Sequence, residues 1–286
     1  MPNAKTTNRF FCIDDGVPDS TIELLRTACD TRDVSFHHID APVFDYQEER
    51  VLGLGDLLYR PAVSMAAMAV EQFLWSPGVA TFYARSGGVF FAPTAGPLQH
   101  QRAGLPVPRT FPIASSDRNL LASFVTRLGG YPVVLKMSGF SSGIGVMRVD
   151  SAPALLSLVD WAMAEGKFPH LCAYVPDAIH WRVTVVGNKA LAAYRNQQEP
   201  DDFRTSSGED PKDFTTDVPQ ALAQLAVQSC VALEQELGGV DILEHPSGRL
   251  YLLESNFPCY FGTAQEVIGV DIAGAMVDHL VGKART

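Results

Sequence analysis

Lysine is missing from most of the first half of this chain, with none between Lys5 and Lys136. A lysine that ends so long an absence, directly after the apolar run Val133-Val134-Leu135, is not a casual surface choice. Cysteine is also scarce. The five residues (Cys12, Cys29, Cys172, Cys230 and Cys259) are odd in number and show no C-x-x-C spacing, which argues against a disulfide framework or a zinc site. No stretch approaches the ~20 apolar residues of a membrane-spanning helix, and the polar N-terminus leads into no signal-peptide core. A soluble cytoplasmic protein with no membrane partner is therefore expected. Positive charge is in deficit, with 22 Lys and Arg against 32 Asp and Glu and a net charge of −10. That balance argues against nonspecific binding to nucleic acid or to an acidic membrane surface. Neither a G-x-x-x-x-G-K-[ST] phosphate loop nor a Rossmann glycine fingerprint occurs, and there is no internal repeat.

What the chain does have is enough apolar material for a large core. Its 286 residues are 47% hydrophobic, sufficient for two or three compact units. The first hundred residues read as a separate α/β layer, with strands at 10–14, 34–39 and 57–60 and helices at 20–32 and 63–74, the latter with Ser64 as its cap. Asp14, Asp15 and Arg60 at the strand ends could bind a substrate, but acids after a strand more often form turns. Further helices are predicted at 116–128, 152–165 and 271–281. Another is predicted at 219–237, where Leu222, Leu225, Ala226, Ser229, Leu233 and Leu237 make a core stripe.

Residues 241–256 read as a β-hairpin about the turn His245-Pro246-Ser247-Gly248. Equal spacing from that turn sets Asp241 near Glu254 and Asn256. Three hard oxygen ligands suit Mg²⁺, which keeps several waters and is usually completed by substrate phosphates. A phosphate donor follows from that chemistry. Far upstream, Lys136 ends one apolar strand and the small-residue loop 138–145 leads into another. Ser138, Gly139, Ser141, Ser142, Gly143 and Gly145 allow backbone N–H groups to close over phosphate oxygens, and Lys136 adds a point charge.

Taken together, these motifs resemble the ATP-grasp superfamily, from about Gly104 to the C-terminus and in the family's order. The sequence is most similar to the glutamate-adding and amino-acid-adding peptide ligases and to glutathione synthetase. The resemblance implies an α/β fold with α+β subdomains: an N-terminal layer over 1–105, a lid over 106–172 and a catalytic subdomain over 173–286. It also implies ATP with Mg²⁺, or Mn²⁺ as an alternative, held by Asp241, Glu254 and Asn256. The stretch 171–177 resembles the hinge whose backbone reads adenine, through Ala173, Tyr174, Val175 and Asp177. Arg182 falls on the strand pair that carries the family's substrate-side arginine, and Arg204 in a loop that contributes another. Four departures stand out. Pro93 occupies the position of a second ATP-binding lysine, for which Arg85, His100 or Arg102 could substitute. Cys172 and Ala173 replace a common Gln-Glu pair, His180 replaces an acid, and Ser206 replaces an asparagine.

The implied reaction is ATP-dependent ligation of a carboxylate to an amine through an acyl phosphate, on small-molecule or peptide substrates, and a homo-oligomer is left open. Arginine suits the carboxylate and the acyl phosphate because its planar fork binds paired oxygens. Modification of a ribosomally made peptide, a kinase of the same fold and a nonenzymatic ATP-binding scaffold are the alternatives. His180 is given no role, since an isolated histidine beside a tryptophan is more often packed or simply polar. Cys259 lacks companions that would make it a nucleophile and is assigned to the pocket wall.

Overall fold

Phe10, Phe11, Cys12 and Ile13 are all within 2% of full burial, so the first strand must be covered on both faces. The computed structural model describes residues 8–47, 52–91, 96–137, 143–198, 202–208 and 210–285. In it β1 (Arg9–Asp14) lies between β2 (Ser35–Asp40) and β3 (Asp56–Tyr59), parallel to both. The period of two sends Phe10 and Cys12 toward α1 (Asp19–Asp30), and Phe11 and Ile13 toward α2 (Met65–Leu74). Ser64 caps α2 as predicted, its Oγ accepting the Ala67 N–H at 3.1 Å. Helix α1 instead begins at Asp19 behind Pro18, leaving Ser20 inside the first turn.

The short α3 (Gly96–Arg102) leads into a second sheet. Its elements are β4 (Thr110–Phe111), α4 (Arg118–Leu128), β5 (Val133–Lys136), β6 (Val146–Val149), α5 (Ala152–Ala164) and β7 (His170–Ala173). The strand order is β4-β7-β5-β6, antiparallel throughout. Val133, Leu135, Val149 and Leu171 pack against Leu121 and Val125 of α4 and Leu155 and Val159 of α5. Alternation then leaves Val134, Lys136, Arg148, His170 and Cys172 on the opposite face. Asp117, one residue after the predicted helix start, caps α4 by accepting the Leu120 N–H at 2.8 Å.

The third sheet follows, with β8 (Ile179–Val186), β9 (Lys189–Gln198), β10 (Thr205–Ser207) and β11 (Phe214–Thr215). After α6 (Gln220–Ala232) come β12 (Leu237–Glu244), β13 (Leu250–Asn256), α7 (Gly262–Ile268) and α8 (Ile272–Lys283). The order is β10-β9-β8-β12-β13, with β11 also on β9. Leu222, Leu225, Ala226 and Cys230 of α6 cover one face, against Trp181, Val183, Val240, Ile242 and Leu252. The helix expected to reach 237 stops at Ala232: Glu234 adopts a left-handed φ of 55°, and Leu237 pairs with Val186 as the first residue of β12. Leu233 and Leu237 are both buried, so the apolar spacing runs on across the boundary between helix and strand.

Helices α7 and α8 return to the first sheet and share its core, Met276, Val277 and Leu280 joining Leu25 and Ala28. Arg32 ties α1 to α8 through Asp278 at 2.8 Å and Asp271 at 3.0 Å. Among the described residues no helix is long and apolar enough to cross a membrane.

Candidate active site

The face of the third sheet opposite α6 carries a row of polar side chains. Arg182 on β8 is the register partner of Asp241 on β12, which is in turn the partner of Glu254 on β13. A strict count back from the Glu244–Leu250 pair would place Leu253 opposite Asp241. An irregularity between Asp241 and Ile242 shifts the register by one and brings Glu254 there. Asn256 completes the cluster, its Nδ2 lying 3.1 Å from Asp241 Oδ2 and 3.0 Å from Glu254 Oε1. The predicted triplet therefore does converge, though by a bulge rather than by equal spacing.

Asp241 is only 3% exposed, and burial alone would raise its pKa. The Arg182 charge and the hydrogen bond from His180 outweigh that and hold the carboxyl below its ordinary value. Arg182 Nε donates to Asp241 Oδ1 at 2.7 Å. Its two terminal nitrogens have no hydrogen-bond partner among the described residues, so they remain available to an anion. Burial opposes the guanidinium charge, but Asp241 more than restores it. Gly239 makes room for this arrangement: a Cβ there would meet Arg182 Nη1 at 2.6 Å and Cys259 Cβ at 2.9 Å. Cys259 is buried behind the arginine, and burial pushes its thiol up to about 12, far from a nucleophilic thiolate.

Lys136 projects from the helix-free face of the second sheet, beside its register partner His170. Burial and then the Lys136 charge push the His170 ring pKa down. Ser138, Gly139, Ser141 and Ser142 lie outside the described residues. The far end of their loop is described: Gly143 and Gly145 take φ of 74° and 77°, and the Met137 N–H donates to the Gly145 carbonyl at 2.9 Å. Arg204 reaches this loop, Nη1 donating to the Gly143 carbonyl at 3.2 Å. Asp202 clamps the same guanidinium, with Arg204 Nε at 2.8 Å and Nη2 at 2.5 Å from its Oδ2. Those hydrogen bonds pull the Asp202 carboxyl below the usual range.

Ala173 ends β7, with its N–H donating to the Arg109 carbonyl at 2.9 Å. Tyr174, whose ring lies 4.9 Å from the Arg148 guanidinium carbon, and Asp177, at a φ of 54°, border an open cleft of about 440 Å³ together with Tyr131 and Gly130. Val175 lies between them and is half-buried.

Of the proposed substitutes for the absent lysine, Arg85 is paired with Glu234 at 2.5 Å and His100 is buried against Ser229 Oγ at 3.0 Å. Arg102 is exposed at the end of α3. Pro93 lies outside the described residues. Asp14 is a turn former, its Oδ1 accepting the Val17 N–H at 2.9 Å. Arg60 is buried and bound to Glu71 at 2.8 Å, which leaves it a structural part of the first layer.

Comparison with known proteins bears directly on this geometry. A model of the RimK-like ATP-grasp domain matches residues 99–280, well over half of the chain. The chain belongs to the RimK-like ATP-grasp family. It is 29% identical over 183 residues to a probable alpha-L-glutamate ligase of Enterobacter sp. (strain 638), covering 63% of this chain and 59% of that one. To the ribosomal protein bS6–L-glutamate ligase of Escherichia coli it is 25% identical over 187 residues, covering 65% and 61%. The chain thus spans less than two thirds of the length of these curated relatives. The ATP-grasp ligase PsnB, solved with a minimal precursor, Mg and ADP, superposes with a TM-score of 0.72 at 16% identity, covering 99% of each chain. D-cycloserine synthetase DcsG gives a TM-score of 0.72 at 17% identity, covering 96% of this chain and 99% of that one. These likenesses establish the ATP-grasp fold.

The donor set of this ATP-grasp chain suits a divalent cation. Two carboxylates and an amide meet at one point and the buried acid is held ionised, which matches hard oxygen coordination of Mg²⁺. Rotating the Asn256 amide by half a turn would present its oxygen in place of the nitrogen, an orientation fixed by hydrogen bonding alone. Among the described residues no group of three or more His, Cys, Asp or Glu forms a separate metal cluster. The residues missed by the sequence reading are His180, Thr205, Asp202 and Gly239. Only Gly239 left a usable signal, as a glycine inside an apolar strand beside a candidate ligand.

Proposed function

We propose that this chain is an ATP-dependent carboxylate–amine ligase, which forms an amide or peptide bond through an acyl phosphate and releases ADP and phosphate. The observation that carries the reading is the row of Arg182, Asp241 and Glu254 across three adjacent strands, with Asn256 beside it. One end of that row offers oxygen ligands; the other offers an arginine anchored at Nε with its fork uncommitted.

In this account Lys136 and the N–H groups around Gly143 and Gly145 grip the phosphates of ATP, and backbone from Ala173 to Asp177 receives the adenine. Asp241, Glu254 and Asn256 would hold Mg²⁺, which when bound neutralises phosphate charge and polarises the transferring phosphoryl group. Arg182 and Arg204 hold the carboxylate so that its oxygen attacks the γ-phosphorus in line while ADP departs. The amine lone pair then attacks the acyl carbon, the bond to phosphate breaks, and the amine proton leaves with the phosphate. Residues of the second sheet exclude water during this interval, because the mixed anhydride hydrolyses readily.

Two relatives named as glutamate ligases, one for a ribosomal protein, and neighbours solved with precursor peptides support a peptide or protein on one side of the reaction. The five free, buried cysteines suit a reducing compartment such as the cytoplasm. The test is an ADP-release screen of free amino acids and peptides as carboxylates against a mixed amine pool, with mass spectrometry of the product. ADP release that depends on one carboxylate and yields an amide supports the reading; ATP turnover with a stable phosphorylated product and no need for an amine replaces it with a kinase.

A further inference from the structure

His180 touches two parts of the site that are distant in sequence. Its Nδ1 meets the Thr205 hydroxyl, next to Arg204, and its Nε2 lies 3.1 Å from Asp241 Oδ1. A neutral imidazole has one donor and one acceptor nitrogen. Because an ionised Asp241 can only accept, Nε2–H donates to it, and Nδ1 hydrogen-bonds with the Thr205 hydroxyl. The His180 side chain is 17% exposed and so mostly shielded from competing water. By contrast β10 is three residues long and, among the described strands, hydrogen-bonds to β9 alone. Arg204, just before this strand, is held by Asp202 and the Gly143 carbonyl, and His180 adds an anchor at the next residue, Thr205.

We propose that His180 is a positioning residue that ties the strand directly after Arg204 to the buried Asp241, so that a cation held at Asp241 also fixes the arginine loop. This rests on the ligase reading above. Through the link, nucleotide and metal would order the substrate-side arginine before the carboxylate arrives. No contact between Arg204 and the metal is needed, since the imidazole carries the constraint.

Amide hydrogen exchange over 202–208, with and without Mg²⁺ and ADP, tests the link without turnover. In the unaltered protein, exchange should slow by about fivefold on addition of Mg²⁺ and ADP, as local opening becomes rarer. Thr205→Val, which keeps the shape and removes the hydroxyl, should abolish that response, and Thr205→Ser should restore it. The two histidine replacements separate the contacts. His180→Asn reproduces the Nδ1 side only and should retain the basal protection of β10 while losing the response. His180→Gln reproduces the Nε2 side only and should lose both. Equal slowing in the unaltered protein and in Thr205→Val overturns the inference and leaves the ligase reading in place. Failure of the unaltered protein to bind Mg²⁺ and ADP, read by calorimetry on the same sample, overturns both.

Discussion

Arg182 Nε lies 2.7 Å from Asp241 Oδ1, and the two residues are register partners on adjacent antiparallel strands. The pair is asymmetric: the Asp241 side chain is 4% exposed and that of Arg182 is 23% exposed. Removing the acid therefore leaves a largely desolvated cation without its partner. Asp241→Ala should lower stability by about 3 kcal/mol, the low end for breaking a buried ion pair because Arg182 retains some solvent. Urea unfolding measures this directly. A loss indistinguishable from that of an exposed acid such as Asp45 would mean the pair adds nothing to the fold.

Lys136 stands on the helix-free face of the second sheet, opposite His170. A ligand that binds only the folded state stabilises it by about 2.7 kcal/mol at a hundred times its dissociation constant. Lys136→Ala should cost about tenfold in affinity for Mg²⁺ and ADP, removing about 1.4 kcal/mol of that stabilisation and shrinking the rise in Tm. An unchanged rise in a well-folded variant would take Lys136 out of the phosphate site.

Glu254 is the exposed member of the oxygen cluster, and it meets Asn256 at 3.0 Å. Glu254→Gln preserves the shape and removes one negative charge. The Mg²⁺ concentration for half-maximal nucleotide binding should rise about tenfold or more, with Tm in the absence of ligand nearly unchanged. An equal Mg²⁺ requirement in both proteins would exclude Glu254 as a ligand.

Glu236 supplies a prediction about pH. It receives Lys283 at 2.5 Å and His279 at 3.1 Å, and Lys283 also donates to the Thr81 carbonyl at 2.9 Å, joining α8 to the first layer. Burial opposes the Glu236 charge, but His279 and Lys283 outweigh it and lower the pKa. A carboxyl lowered on folding contributes stability above its unfolded value of about 4.3 and loses it as pH falls through the folded value. Glu236→Gln should thus be less stable by about 1–2 kcal/mol at pH 7, and the gap should close only as pH falls below about 4. A gap that is constant from pH 7 to pH 3 would contradict the charge-based account.

Much of this architecture was legible because local chemistry and tertiary role agree. Ser64 is a cap in both sequence and structure, and the 245–248 turn sets up the hairpin that brings Asp241 opposite Glu254. The strand boundary at Leu237 is hidden in the sequence because two buried leucines four apart, Leu233 and Leu237, satisfy helix and strand alike until pairing decides. His180 carries no role in the sequence because it stands isolated beside Trp181, while its partners Thr205 and Asp241 lie 25 and 61 residues away. Asp202 gives no signal of its own in the sequence, since its grip on Arg204 depends on how the loop turns back.

In the proposed reaction a carboxylate is activated by phosphorylation, with Arg204 acting after the nucleotide is seated. Arg204 donates to the Gly143 carbonyl at 3.2 Å while Asp202 holds its Nε and Nη2, so a substrate carboxylate would take the place of Asp202 on that edge. Once the ADP-release screen has identified a carboxylate, hydroxylamine should intercept its acyl phosphate as a hydroxamate, with ADP formed only when that carboxylate is present. Arg204→Ala should bind Mg²⁺ and ADP within about threefold of the unaltered protein yet lose hydroxamate formation by about a hundredfold or more, and Arg204→Lys should recover little because an ammonium lacks the paired donors. Hydroxamate formed by Arg204→Ala at the unaltered rate, at both limiting and saturating carboxylate, would contradict the account.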